Sequence, residues 1–247
     1  MMIYFIENYT SSIYRNDVRF MLAQYYCDDN DFVRAEREFA EVDYKALDKR
    51  NRERYDIRMG YIYFLQKDYL MAIQHFSKIA KSSEYYPHAL YYRSYIRYYN
   101  GENSVAREGF RQLADNDTYR YLIPFYLLQI EYREGNYDYV IAEGAKLLDV
   151  ASETTRPDLE RIIAESYFVK GDYANAIRYI SEYPATLMGR QENYILGYSL
   201  YRMARYKEAI APLAKVCGAN DALTQNAAFH LGDCYLRIKD KEHAADA

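Results

Sequence analysis

His230 and Cys234 stand four residues apart, which places both side chains on one face of a helix at the spacing of two ligands to one metal ion. A closed zinc site needs four ligands, and the chain has no second close pair. Cys234 also adjoins Tyr235, a core position in the register described below, and a small buried cysteine is a common core residue. The pair is therefore read as packing, with no metal site and no cofactor assigned. His75, His88 and His243 are scattered. Carboxylates recur in pairs, Glu36 with Glu38, Glu160 with Glu165 and Asp221 with Asp233. Glycoside hydrolysis uses two convergent carboxyl groups, but in a chain with both signs of charge interspersed such pairs read as solvated helix faces. No glycine-rich phosphate loop and no serine in a nucleophile-elbow context appears. The chain is read as non-enzymatic.

The elements that carry these residues are helices. Only 10 Gly and 5 Pro occur in 247 residues, so tight β-turns are scarce and long helices follow. The stretch Gly60–Phe76 shows how the helices pair. Gly60 and Tyr63 precede a turn-like Lys67-Asp68, and Tyr69, Ala72 and Phe76 follow it. Small residues let two helices approach, and bulky ones three and four positions away fill the space beside the contact. With Ala72 as marker, the same pattern recurs at Ala35, Ala106, Val140, Ala176, Ala209 and Ala244. The steps are roughly 33 to 37 residues, the period of one helix-turn-helix repeat. Before each marker sits a first position, Ala23, Gly60, Ser94, Leu128, Ala164, Gly197 or Gly232, small in all but one copy. After it comes Phe39, Phe76, Phe110, Gly144, Ile180 or Leu213.

This register, carried by Leu22-Ala23…Tyr26…Phe32…Ala35…Phe39, Gly60…Tyr63…Tyr69…Ala72…Phe76, Ala164…Tyr167…Gly171…Tyr173…Ala176, Leu196-Gly197…Tyr206…Ala209 and Leu231-Gly232…Tyr235, resembles the tetratricopeptide repeat family. The resemblance runs from about Asp17 to the end and implies an all-α, right-handed α-solenoid of tandem helix-turn-helix repeats. The expected layout is a single array: 1–15 a remnant of a preceding repeat, then repeats at 16–52, 53–86, 87–120, 121–156, 157–189 and 190–224, and a partial repeat at 225–247. The family's Trp position is filled instead by Arg19, Asp56, Leu90, Pro124, Glu160, Asn193 and Ala228. The fourth repeat departs furthest, with Leu128 and Val140 at the small positions and Gly144 at the bulky one, so its two helices are expected to pack further apart. Pro87 and Pro157 fall at predicted helix starts, where Thr155 or Asp158 could serve the free N–H groups. Pro212 lies inside a second helix, where a local bend is expected.

The resemblance also implies a ligand face on the concave side, lined by first helices. Carried over position by position, that face is aromatic at Tyr61, Phe64, Tyr91, Tyr95, Tyr98, Tyr132, Tyr194, Tyr198 and Tyr201, with Phe20, Gln24, Cys27, Ile57, Phe125, Gln129, Arg161, Glu165 and Phe168 at its other positions. Aromatic and arginine side chains dominate binding energy at interfaces. The competing reading is that tyrosine fills gaps between repeats with its apolar ring. The Lys and Asn residues of carboxylate-clamping repeats are absent from these positions. The implied function is a protein–protein interaction scaffold that holds a peptide or partner protein on a tyrosine-rich concave face. Two alternatives remain: a carbohydrate-binding envelope module that stacks sugars on its rings, and a helical-toroid hydrolase.

Net charge is −4, and no like-charged block or basic patch of a nucleic-acid binder is present. Cys27, Cys217 and Cys234 have no paired short spacing, which argues against a disulfide framework. No apolar run approaches a membrane span. The repeat style, rich in tyrosine, is similar to bacterial envelope scaffolds and points to the periplasm over the cytoplasm. The chain opens on the tail of a second helix and stops as another begins, so it is expected to be a bacterial protein fragment whose partners include the remaining repeats of a longer parent chain.

Overall fold

A computed structural model describes residues 1–246. Among the described residues the chain is α-helical, with one short 3-10 turn at Tyr44–Ala46 and no strand. This is the all-α architecture that the repeat register predicts. Helix α1 (Met2–Asn8) leads. Paired helices follow: α2 (Arg15–Asp28) with α3 (Phe32–Ala40), α4 (Lys49–Leu65) with α5 (Tyr69–Ser77), and α6 (Tyr86–Tyr99) with α7 (Asn103–Arg111). Next come α8 (Ile123–Arg133) and α9 (Tyr137–Leu148), α10 (Arg156–Val169) and α11 (Tyr173–Glu182), α12 (Arg190–Arg202) and α13 (Tyr206–Val216), and α14 (Ala222–Arg237) and α15 (Lys241–Asp246). They form two compact units, one from Met1 to Ile123 and one from Pro124 onward.

One turn geometry joins every pair. A single residue in the left-handed region ends each first helix: Asn30, Lys67, Gly101, Gly135, Gly171, Ala204 and Lys239, with φ between 58° and 78°. The residue after it returns its N–H to a carbonyl near the end of the first helix, for example Asp68 N to Tyr63 O at 2.9 Å and Asp172 N to Tyr167 O at 3.0 Å. That six-to-one bond is a Schellman closure, and it satisfies carbonyls the helix end leaves open. The same residue starts the second helix. Asp31, Asp68 and Asp172 accept the N–H groups of Arg34, Met71 and Asn175 at 2.9, 3.1 and 3.1 Å. Three of these left-handed residues are glycine, and four are not.

The packing follows the register. The markers Ala35, Ala72, Ala106, Val140, Ala176 and Ala209 have no exposed surface, nor do Phe39, Phe76, Phe110, Ile180 and Leu213. A Cβ on Gly60 would lie 2.6 Å from the Phe76 ring, so this helix pair tolerates no side chain there. The fourth pair solves the same problem in reverse. A Cβ on Gly144 would meet Ile163 at 2.7 Å and the Leu128 side chain at 3.4 Å. The large residue has moved to the first helix and the small one to the second. The gap expected there is filled by Leu128 and Ile163, both at most 1% exposed.

One detail differs from expectation at helix starts. Pro87 and Pro157 do sit in first turns, but the Thr155 side chain caps nothing. Its hydroxyl is engaged with Ser152, 3.0 Å from the Ser152 hydroxyl. Pro212 lies inside α13, where it is buried.

The position that carries Trp in the family is buried at Asp56, Leu90, Glu160 and Asn193. Asp56, at the second turn of α4, accepts three hydrogen bonds. They come from the Tyr44 hydroxyl at 2.6 Å, His75 Nδ1 at 2.8 Å and Lys78 Nζ at 3.1 Å. Tyr63 stacks on the His75 ring at 5.5 Å. Burial by itself raises the Asp56 carboxyl, but the His75, Tyr44 and Lys78 bonds outweigh it and hold it below the usual carboxylate range. Glu160, in α10, has a single cation, Arg156, at 3.9 Å. Burial pushes its carboxyl above the usual range, and Arg156 offsets that only in part. Asn193 donates to the Gly189 carbonyl at 2.7 Å and helps close the start of α12.

Candidate functional site

In the first unit the aromatic face is built on α4 and α6. Residues three and four apart share one face of a helix, so Tyr61 and Phe64 emerge together from α4, and Tyr91, Tyr95 and Tyr98 from α6. The rings interlock across the two helices. Phe64 meets Tyr95 edge-on at 5.5 Å and Tyr92 at 4.9 Å, and Tyr61 meets Tyr92 at 5.4 Å. Along α6, Tyr95 lies 6.5 Å from both Tyr91 and Tyr98. Tyr91 stacks on Tyr119 at 4.4 Å with 13° between the planes. Offset and edge-to-face pairs of this kind contribute beyond simple burial. All five predicted residues are half-buried. Each ring is therefore packed against its neighbours and partly accessible.

Tyr92 and Tyr119 belong to this cluster but not to the predicted stripe. Tyr92 follows Tyr91 and points toward the core, where it stacks on Phe76 at 5.3 Å. Burial pushes its hydroxyl up to about 12. Tyr119 lies in the segment between α7 and α8, outside any helical period, and its hydroxyl meets His88 Nδ1 at 2.7 Å. The Tyr-Tyr pair at 91 and 92 was the only sequence signal for the first, and none existed for the second.

Beside these rings is a cavity of about 550 Å³, lined by Gln24, Asp28, Arg54, Ile57, Arg58, Tyr61, Tyr85, His88 and Tyr92. Arg54 Nε donates to the Tyr85 hydroxyl at 3.2 Å, and Arg58 Nη2 to Asp28 Oδ1 at 2.7 Å. Tyr61 and Tyr92 form its apolar wall.

The second unit has its own cluster. Tyr194, Tyr198 and Tyr201 line one face of α12. Tyr194 stacks on Tyr198 at 5.6 Å, and Phe168 of α10 meets them at 6.2 and 5.6 Å. His230 of α14 wedges against Tyr198 at 4.8 Å and Tyr201 at 4.6 Å. Its Nδ1 is buried without a partner, and burial lowers its proton affinity. Arg202 donates to the hydroxyls of Tyr198 at 3.0 Å and Tyr173 at 2.9 Å. Tyr201 donates to Asp233 at 2.8 Å. Tyr132 is bound differently: its hydroxyl donates to Glu165 at 2.5 Å, and Arg161 reaches the same carboxylate at 3.1 Å. The eight other predicted residues thus fall into two ring clusters, one per unit, and Tyr132 into a polar triad.

The residues weighed for chemistry have structural partners. Cys234 is fully buried, and burial pushes its thiol up to about 11. Among the described residues, no group of three or more His, Cys, Asp or Glu side chains comes together to hold a metal ion. Glu36 accepts from Gln66 at 2.6 Å, Asp221 from Arg190 at 2.8 Å and Asp233 from Tyr201. No described helix is long and apolar enough to cross a membrane.

Solved structures align with the chain over most of its length. A tetratricopeptide repeat protein from Parabacteroides merdae is 17% identical, covers 93% of this chain and 89% of its own, and has a TM-score of 0.60. The fold is a tetratricopeptide-like α-solenoid. The C-terminal part of a tetratricopeptide repeat-containing protein from Cytophaga hutchinsonii is 16% identical over 92% of this chain and 98% of its own, with a TM-score of 0.59. A Rap protein, solved in complex with competence and sporulation factor, is 12% identical over 94% of this chain and 73% of its own, with a TM-score of 0.51. No protein-family model and no curated protein sequence matches the chain.

Proposed function

We propose that this protein is a non-catalytic interaction scaffold that holds a peptide or a segment of a partner protein against its tyrosine-rich faces. The observation that carries the reading is the interlocked cluster Tyr61, Phe64, Tyr91, Tyr95 and Tyr98. Rings fixed by their neighbours lose little conformational freedom when a ligand arrives, and all five remain partly accessible. The Rap neighbour, solved in complex with competence and sporulation factor, supports the use of such a fold for ligand capture. The carboxylates that a hydrolase would need are tied up in structural pairs. The stripe residues of the second unit, Tyr194, Tyr198 and Tyr201, offer a second face, with Tyr132 fixed by Glu165.

Peptides selected by phage display on the immobilised chain provide the test. Replacing Tyr91, Tyr95 and Tyr98 together by Ala should abolish their capture while circular dichroism shows the helices intact. Unchanged capture overturns the assignment of the face. Strong signals on a glycan array with no selected peptide would replace it with the sugar-stacking alternative.

A further inference from the structure

The cavity beside Tyr61 has a feature that peptide binding in general does not require. Among the described residues Arg54 makes no ion pair within 4 Å; its guanidinium is oriented by the Tyr85 hydroxyl through Nε, which leaves both terminal nitrogens for something else. Arg58 gives one terminal nitrogen to Asp28 and keeps the other. His88 has Nδ1 occupied by Tyr119, so Nε2 is the nitrogen left over. Two guanidinium groups thus face one carboxylate across a pocket whose wall is the Tyr61 and Tyr92 rings. Glu84 and Asp48 favour the Arg54 charge from a distance, but neither is in hydrogen-bond contact with it. An oriented guanidinium whose terminal nitrogens are unbonded is suited to a planar carboxylate, which it grips through two parallel hydrogen bonds.

We infer that this pocket takes the carboxylate of an acidic side chain on the bound peptide, with an adjoining apolar or aromatic side chain set against Tyr61 and Tyr92. The inference rests on the peptide-binding reading above and names the chemistry of the partner: a segment alternating acidic and aromatic residues. A polyphosphate such as nucleic acid fits less well, because the chain carries a net charge of −4 and no like-charged basic block.

Fluorescence anisotropy on the full chain tests this. The probes are a fluorescein-labelled peptide alternating glutamate and phenylalanine, its glutamine analogue, and a labelled single-stranded oligonucleotide. The glutamate peptide should bind at least about tenfold more tightly than the glutamine analogue, with the gap narrowing as salt rises. Arg54→Gln should weaken the glutamate peptide by about tenfold and leave the glutamine analogue unaffected, and Arg54→Lys should recover part of the loss. Arg58→Gln provides a second variant should the first alter the fold by circular dichroism. Equal binding of the two peptides, no effect of either arginine variant, or an oligonucleotide that binds as tightly as the glutamate peptide would each overturn the inference. The underlying reading fails separately. Loss on Arg54→Gln with full binding to the Tyr91, Tyr95 and Tyr98 triple variant removes the stripe and keeps the pocket. Loss in the triple variant alone does the opposite.

Discussion

Asp56 in the first unit and Glu160 in the second occupy one register position, the slot that holds Trp in tetratricopeptide repeats, and both are almost fully buried. They survive there for different reasons. Asp56 has donors on three sides, Tyr44, His75 and Lys78, so its charge is worth more inside than in water. Glu160 has one arginine at 3.9 Å and an adverse contribution from Glu182, so its charge is a burden that protonation relieves. A buried carboxylate is therefore not a stabilising or a destabilising group in itself. The number of donors that the second helix and the preceding loop can bring decides the sign.

The contrast can be broken most forcefully at Asp56. Asp56→Ala leaves His75 and Tyr44 facing a void and should cost roughly 3 kcal/mol, toward the low end for a buried pair because Lys78 still reaches solvent. A urea titration that moves by less than a third of that would remove the cluster's structural role. A neighbouring constraint, Gly60→Leu, should cost roughly 1–3 kcal/mol by forcing a side chain into the Phe76 ring, and a thermal melt reads it. Glu160→Gln should go the other way, raising stability near neutral pH by up to about 1 kcal/mol, because it removes a charge that burial opposes. The pH profiles sharpen the difference. Asp56 has a depressed folded-state pKa, so its contribution is complete above the unfolded value near 4 and fades as pH falls through the folded one. Glu160 has a raised folded-state pKa, so its contribution is complete below the unfolded value near 4 and fades as pH rises through the folded one. Melting temperatures followed from pH 3 to 8 should therefore separate Asp56→Asn from Glu160→Gln, the first flattening the acid side and the second lifting the neutral side. The smallest effect is at the turn. Lys67→Gly should gain roughly 0.5 kcal/mol, because left-handed backbone disfavours a side chain, while Gly101→Ala should lose about 1 kcal/mol.

The register was readable because it is local and periodic. Gly60 must be small since the Phe76 ring closes on it, and Gly197 meets the same demand against Leu213. The Asp56 cluster was not readable, since Tyr44 comes from a 3-10 turn in the loop before α4 and has no period to announce it. Tyr119 was missed for the same reason. In the fourth repeat the sequence shows Leu128 and Gly144 at exchanged positions, but not that Ile163 of α10 helps fill the space between them. The facing residues Tyr61, Phe64, Tyr91, Tyr95 and Tyr98 could be placed from helical spacing alone. That Arg54 would be oriented in their cavity by Tyr85, just before α6, could not, because the contact joins residues 31 positions apart.

The Schellman turn has a consequence for how such a chain can change length. The residue that closes the first helix also opens the second, and the left-handed residue stands five positions before the marker in all seven pairs. An inserted or deleted residue there would uncouple two helix ends at once and rotate the second helix against its core. The variation in step between repeats is instead absorbed after second helices, in stretches such as 41–48 and 112–122. Peptide tags, reporter loops or new binding segments should therefore be accepted in those outer connections, such as the exposed Gly218-Ala219-Asn220, and rejected at Lys67 or Gly171.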